Sequence, residues 1–327
     1  MTLTETQVNT DVIGILKSME IEAKTTKSGA EALGGYVVVE VTDDEKGVVN
    51  NLRFNVWANK FKKDGKESKL YTSLLTVRNE YKTKDAHGDD ADLISVSGSV
   101  DINDYVGQQG LTSRLQLRGQ FFNRIEDKTT PQRALMSAKL AIVNYTPVLE
   151  DGVPVEPATE KVEAYLIGYK LKIIPLELVI HDNQMGLLDS FKSLYMPNST
   201  GVLTLKINNY PDTTEKEKEP VVQEGGFGQM MEPKTFTKFV SEYEIVGGQQ
   251  PLDDGLGYSL EDITEIKELR RKQLTLIEQG ANGEPKVSMP MDMGFGKATP
   301  PANEALPKNN PTQAQTTTTQ DGDIPAF

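Results

Sequence analysis

Short runs in which apolar and polar residues alternate dominate the first 250 positions, and that period of two is the signature of strands with one buried face. Tyr36–Thr42 (YVVVEVT), Leu52–Phe61, Lys69–Tyr81, Leu93–Ile102 and Arg114–Ile125 are predicted strands, and Val12–Glu22 is a candidate opening strand. The loop KKDGKES joins the second and third of these, and its Asp64-Gly65 pair is a strong hairpin signal. A second block supplies Ala138–Tyr145, Val162–Ile174, Val202–Asn208 and Phe239–Val246. The polar break Thr129–Gln132 separates the two blocks. Many short strands at this spacing predict a mainly β barrel or sandwich. The organisation expected is one β-rich domain at 1–128 and a second at 129–258, with a single larger, elaborated domain as the alternative.

The pattern changes period after residue 258. Ile263, Ile266, Leu269 and Ile277 recur near helical spacing, so 259–280 is predicted to be a helix. Ser259 and Asp262 have the spacing of a capping box, with Asp in place of Glu, and Gly280 can end the element. From Ala281 the chain carries six prolines up to Pro311 and the run Thr316–Thr319. Such a segment buries too little apolar surface to offset the entropy of ordering, so 281–327 is expected to be a disordered linker.

Composition changes this picture little, whereas the distribution of charge changes it a good deal. The chain has no cysteine, which excludes disulfides, thiolate metal sites and cysteine nucleophiles. No apolar run is long enough for a membrane span, and MTLTETQVNTD lacks the pattern of a secretory signal, so a cytoplasmic location is expected. A net charge of −13 by itself argues against a partner rich in phosphate. Yet residues 51–84 hold nine Lys or Arg against three Asp or Glu, while Asp212–Glu265 holds thirteen acidic and four basic residues. The cations are concentrated in one stretch of the first block.

Strand alternation places those cations beside aromatic rings. Leu52, Phe54 and Val56 share one face of their strand, with Arg53, Asn55, Trp57, Asn59 and Phe61 on the other. In Arg114–Ile125, Leu115, Leu117 and Phe121 share a face, and Arg114, Gln116, Arg118, Gln120, Phe122 and Arg124 share the opposite one. Rings that stack bases and cations that track phosphates are what a single-stranded nucleic acid requires. The candidate binding residues are Arg53, Trp57, Lys60, Phe61, Lys62, Lys63, Lys69, Tyr71, Arg78, Tyr81, Lys82, Arg114, Arg118, Phe122 and Arg124. The same cations could equally be ordinary solvated decoration that protects strand edges. Tyr165, Tyr169, Lys170, Lys172 and Lys206 form a weaker auxiliary candidate in the second block.

Little points to catalysis. Only His87 and His181 are present, and no metalloprotease, Walker, nucleophile-elbow or EF-hand motif occurs. Gly225–Gln229 (GGFGQ) lacks the Lys-Ser/Thr of a phosphate loop and is read as a loop. His87 with Asp89, Asp90 and Asp92 could in principle hold a cation, but no metal and no cofactor is expected.

The last seven residues, DGDIPAF, resemble the acidic tip of bacterial and phage single-stranded-DNA-binding proteins. Asp321 and Asp323 match its acids, and Ile324, Pro325 and Phe327 match its apolar end. Ala326 intrudes between Pro325 and Phe327, and there are fewer acids than the family usually carries. Gly14, inside the apolar opening run, resembles that family's first strand. The resemblance implies OB-type barrels, two in a body of this length, and a phage-type relative. It implies sequence-independent binding of single-stranded DNA in replication, recombination or repair, without enzymatic activity. It also implies that Asp321, Asp323, Ile324, Pro325 and Phe327 dock replication or repair proteins. The alternatives are a phage structural or protein-interaction component without nucleic-acid binding, an RNA-binding OB protein and, more remotely, a metal-dependent nuclease.

Overall fold

The computed structural model describes residues 3–183, 186–212, 238–253 and 255–281. Five strands and a helix come first: β1 (Val8–Thr25), β2 (Glu31–Asp43), β3 (Val48–Asn59), α1 (Lys69–Glu80), β4 (Leu93–Gly107) and β5 (Gly110–Ile125). The same order then repeats as β6 (Arg133–Pro147), β7 (Thr159–Ile167), β8 (Ile173–His181), α2 (Leu187–Leu194), β9 (Thr200–Asp212) and β10 (Lys238–Gly248). A terminal helix, α3 (Leu260–Ala281), follows.

Each set of five closes on itself. In the first, β1 pairs antiparallel with β2 and with β4, β2 with β3, and β4 with β5. A short parallel seam, Phe54 with Leu117 and Asn55 with Arg118, shuts the barrel between β3 and β5. In the second, β6 pairs with β7 and β9, β7 with β8, and β9 with β10. Its parallel seam joins Leu178 to Tyr243 and Val179 to Glu244. Five strands in the order 1-2-3-5-4-1, with a helix between the third and fourth, are the Greek-key barrel of the OB fold. The chain therefore folds as two OB-type barrels plus a C-terminal helix.

The barrels are welded together. The first half of β1 pairs with β6 from Val8–Ala138 to Ile13–Arg133, while its second half turns away to pair with β2. One apolar core runs from Val12, Leu33, Val39 and Phe54 in the first barrel to Met136, Leu166, Leu178 and Leu205 in the second. Polar clamps cross the same junction: Lys206 to Asp43 at 2.7 Å, Lys172 to Asp101 at 2.9 Å, and a two-pronged Arg270–Asp104 pair at 2.7 and 2.8 Å.

Two predicted strands change identity. Lys69–Tyr81 is helix α1, not a strand. Its apolar side chains Leu70, Leu74 and Val77 recur at helical spacing, and Leu74 and Val77 point into the core. The Asp64-Gly65 turn does form, as a small loop closed by a Phe61–Glu67 bridge, but it leads into that helix. Val162–Ile174 is two strands, because the chain reverses through Gly168–Lys172 and β8 pairs back on β7. Helix α2 has no counterpart among the predicted elements. The capping box at α3 does form: Asp262 Oδ2 accepts from the Ser259 amide at 2.9 Å, and the Asp262 amide donates to Ser259 Oγ at 3.1 Å. The linker, Asp321–Phe327, Gly225–Gln229 and much of the acidic stretch Asp212–Glu265 lie outside the described residues.

Candidate nucleic-acid interface

The outward-facing side chains of β2, β3 and β5 on the first barrel form a mixed aromatic and cationic sheet. Leu52, Phe54, Val56 and Ala58 fill the interior, which turns Arg53, Asn55 and Trp57 outward, as alternation requires. The antiparallel register sets Trp57 opposite Gly34 and Asn55 opposite Tyr36. The indole of Trp57 lies over Gly34: a Cβ there would stand 2.5 Å from its Cε3, so the glycine is what leaves room for the ring. The indole N–H donates to Asn59 Oδ1 at 3.1 Å, which fixes its rotation. Next to it, the Arg53 guanidinium sits 3.8 Å above the Tyr36 ring. The hydrogen bond to Glu20, and then burial, raise the Tyr36 phenol above its ordinary range and keep it neutral. Arg118, on β5, is in register with Asn55 and pairs with Asp101 at 2.5 Å.

The loop that leaves β3 extends this sheet. Phe61 is 56% exposed, with the Lys60 ammonium 5.6 Å from its ring centre and paired at 2.5 Å to Glu31. Lys62, Lys63 and Lys66 project from the turn, and Lys69 opens α1. No acidic residue occupies the first turn of α1 and no side chain caps it, so the positive end of the helix dipole adds to the lysines. A stacking surface thus runs into a cationic loop.

The structure divides the candidate residues into separate groups. Arg53, Trp57 and Arg118 share the sheet face, and Lys60, Phe61, Lys62, Lys63 and Lys69 adjoin it. Arg114 is exposed, with its guanidinium 6.0 Å from the Tyr105 ring in the β4–β5 hairpin. Tyr71 packs against the core instead. Tyr81, Lys82 and Arg124 gather at the far end of α1 and secure it there. The Tyr81 hydroxyl donates to the Phe122 carbonyl at 3.2 Å, Arg124 covers the Tyr81 ring at 4.6 Å and donates to the Glu80 carbonyl, and the Lys82 amide donates to Asp92. Arg78, near the end of that helix, donates to Asn79 Oδ1.

Phe122 is a correction. It is 4% exposed and part of the core, whereas Phe121 is 62% exposed. A bulge between Ser97 and Gly98 pairs Ser97 with Phe121 and Gly98 with Gly119, so β5 has one extra residue there. That extra residue inverts the alternation beyond Gly119. The Phe122 ring then fills the space that Gly119 leaves inside the barrel. Sequence reasoning also missed Tyr36. Its place in YVVVEVT, two residues before Val38 and four before Glu40, puts it on the polar face of β2.

The corresponding face of the second barrel is partly covered. On β7 and β8, Ile167 and Ile173 are covered by Ile263 and Ile266 of α3, with Tyr165 packed alongside. The exposed remainder is Lys161, Glu163 and Glu177, with Lys161 paired to Glu177 at 2.7 Å. Lys172 and Lys206 of the auxiliary candidate are engaged with Asp101 and Asp43, while Tyr169 is 63% exposed.

Among the described residues, the His87, Asp89, Asp90 and Asp92 group does not converge on a common point. One trio does: His181, Glu242 and Glu244 bring their ligand atoms within 4.8 Å of one another. No described helix is long and apolar enough to cross a membrane.

The YorF family model matches residues 7–280, a span that covers both barrels and nearly all of α3. No curated protein matches the sequence. Solved structures with a similar fold include a deletion mutant of the single-stranded DNA binding protein from Thermus aquaticus, at 13% identity and a TM-score of 0.47 over 79% of this chain and 98% of that one. The wild-type protein from the same organism is similar at 13% identity and a TM-score of 0.44, over 76% of this chain and 95% of that one. The small single-stranded DNA-binding protein from Streptomyces coelicolor is similar at 13% identity and a TM-score of 0.23, over 36% of this chain and 94% of that one.

Proposed function

The chain belongs to the YorF family, and we propose that it binds single-stranded DNA, without sequence preference, on the outer β2–β3–β5 face of its first barrel. The observation that carries this reading is the pair of ring platforms on that face, Trp57 laid over Gly34 and Tyr36 stacked with Arg53, opening onto the lysine-bearing loop 60–69. In an OB barrel the second and third strands are the surface on which oligonucleotides lie. Bases stack on the rings whatever their identity, because every base has a π-face. Lys62, Lys63, Lys66 and Lys69 then meet the phosphates, and counterion release makes binding steeply dependent on salt. A duplex keeps its bases stacked on one another and cannot use the platforms. The role that follows is protection of single strands during replication, recombination or repair. The segment Asp321–Phe327 supplies acids and apolar residues, among them the aromatic Phe327, suited to a partner with an apolar pocket and a basic rim.

Trp57 is the chain's single tryptophan, so the platform reports on itself. Titration of the full chain with oligo-dT at two salt concentrations should quench Trp57 fluorescence and raise the anisotropy of labelled DNA in parallel. A duplex of equal length should compete weakly. Absence of both signals with folded protein at low salt would sink the proposal and favour a protein-interaction role. Stronger competition by oligo-rU than by oligo-dT would shift it to RNA.

A further inference from the structure

We infer that His181, Glu242 and Glu244 form a binding site for one divalent transition-metal ion of the zinc class. The site lies at the parallel seam of the second barrel, and it stands or falls independently of the DNA-binding face. His181 ends β8, and Glu242 and Glu244 stand two apart on β10, so both carboxylates project to the same side of that strand. Their ligand atoms lie within 4.8 Å of one another, with Glu244 buried and the other two half-buried.

The surroundings of the histidine set its tautomer. Thr159 Oγ1 has one proton and donates it to the Pro157 carbonyl at 2.9 Å. Its 2.9 Å contact with His181 Nδ1 therefore needs the proton on Nδ1. The other ring nitrogen, Nε2, faces Glu242 Oε1 at 3.7 Å. Fixing the imidazole by a hydrogen bond at its other nitrogen is how metal-ligating histidines are generally held.

The carboxylates are held as well. Asn208 Nδ2 donates to Glu242 Oε1 at 3.0 Å and to Glu244 Oε2 at 2.9 Å, and Lys46 of the first barrel reaches Glu244 Oε2 at 2.7 Å. Asn208 is 1% exposed, and its Oδ1 is buried with no hydrogen-bond partner. Turning this amide over would offer that oxygen to an ion between the two glutamates. One imidazole nitrogen and two carboxylates suit zinc and its neighbours, whereas magnesium and calcium prefer all-oxygen shells. The ion would bridge β8 to β10, whose pairing comprises only Leu178–Tyr243 and Val179–Glu244, and would strengthen the seam that closes the second barrel.

The test uses the full chain without an affinity tag, stripped with chelator and titrated calorimetrically with Zn²⁺ and with Mg²⁺. The expected result is one saturable equivalent of Zn²⁺, visible d–d absorption with Co²⁺, and a thermal midpoint raised by roughly 5 °C at a free Zn²⁺ concentration about 100 times Kd. His181→Gln should abolish that equivalent, and Thr159→Val should weaken it roughly 10-fold or more. Both variants are to be checked for native far-UV dichroism. Failure of the folded wild type to take up a saturable equivalent, or a folded His181→Gln that binds as well as wild type, would overturn the site. Equal uptake of Mg²⁺ would overturn the zinc-class assignment.

Discussion

The two barrels share one strand order and differ in what lies on the same face of it. In the first, β2, β3 and β5 leave Tyr36, Arg53 and Trp57 uncovered beside a lysine-rich loop. In the second, α3 lies over the equivalent strands and buries Ile167 and Ile173 beneath Ile263 and Ile266. What remains exposed there includes Glu163 and Glu177, which would repel phosphate. The difference shows that a repeated architecture need not repeat the surface it presents. One face carries rings and cations in the open, while the other is covered in part by a helix and leaves carboxylates exposed.

Four sets of substitutions would break or sharpen this contrast. The largest effect is expected inside the first barrel. Phe122→Ala should cost about 3–5 kcal/mol in denaturant unfolding, whereas Phe121→Ala, one residue away, should cost less than about 0.5 kcal/mol. Equal costs for the two would mean that the bulge at Ser97–Gly98 does not invert the strand.

Nearly as large is the clamp by which α3 joins the second barrel to the first. Arg270→Ala leaves the Asp104 carboxylate buried without its partner and should cost roughly 3–5 kcal/mol by the same measurement. Burial by itself would raise the Asp104 pKa, but the Arg270 fork, with Ser113 and Lys172, outweighs it and holds the group below its ordinary 3.8. A depressed carboxylate contributes stability that is present above its unfolded value and lost as pH falls through the folded one. Wild-type stability should therefore drop as pH is lowered below about 4. In a pH series, Asp104→Asn should lack that part of the drop.

Binding energies come next. Trp57→Ala should weaken oligo-dT binding by about 1–3 kcal/mol in anisotropy titrations. Tyr165→Ala, on the covered face of the second barrel, should leave affinity unchanged. Equal losses would show that DNA uses both barrels. The smallest effect per residue is expected from the loop. Lys62→Ala, Lys63→Ala and Lys66→Ala combined should flatten the slope of log K against log salt by about 2, near 0.7 for each phosphate no longer neutralised. An unchanged slope would remove the loop from the interface.

Much of the first face is legible in the sequence. Leu52, Phe54 and Val56 point inward and Arg53 and Trp57 outward, as the alternation of β3 requires. Alternation fails in β5, where one extra residue exchanges the roles of Phe121 and Phe122. It fails again in Lys69–Glu80, whose β-branched and aromatic residues imitate a strand while Leu70, Leu74 and Val77 carry helical spacing. In each case a local pattern is compatible with two structures, and packing against distant residues selects one.

The sequence by itself determined what depends on neighbours along the chain. These are the inward and outward sense of regular strands, the positive charge concentrated in residues 51–84, and the Ser259–Asp262 cap that starts α3. Only the tertiary structure decided that two parallel seams close two barrels and that α3 covers the second of them. It alone decided that Tyr36 meets Arg53, and that His181 meets Glu242 and Glu244. Such pairings join residues far apart in sequence, and their closure depends on how whole sheets curl and pack, which no short window of residues encodes.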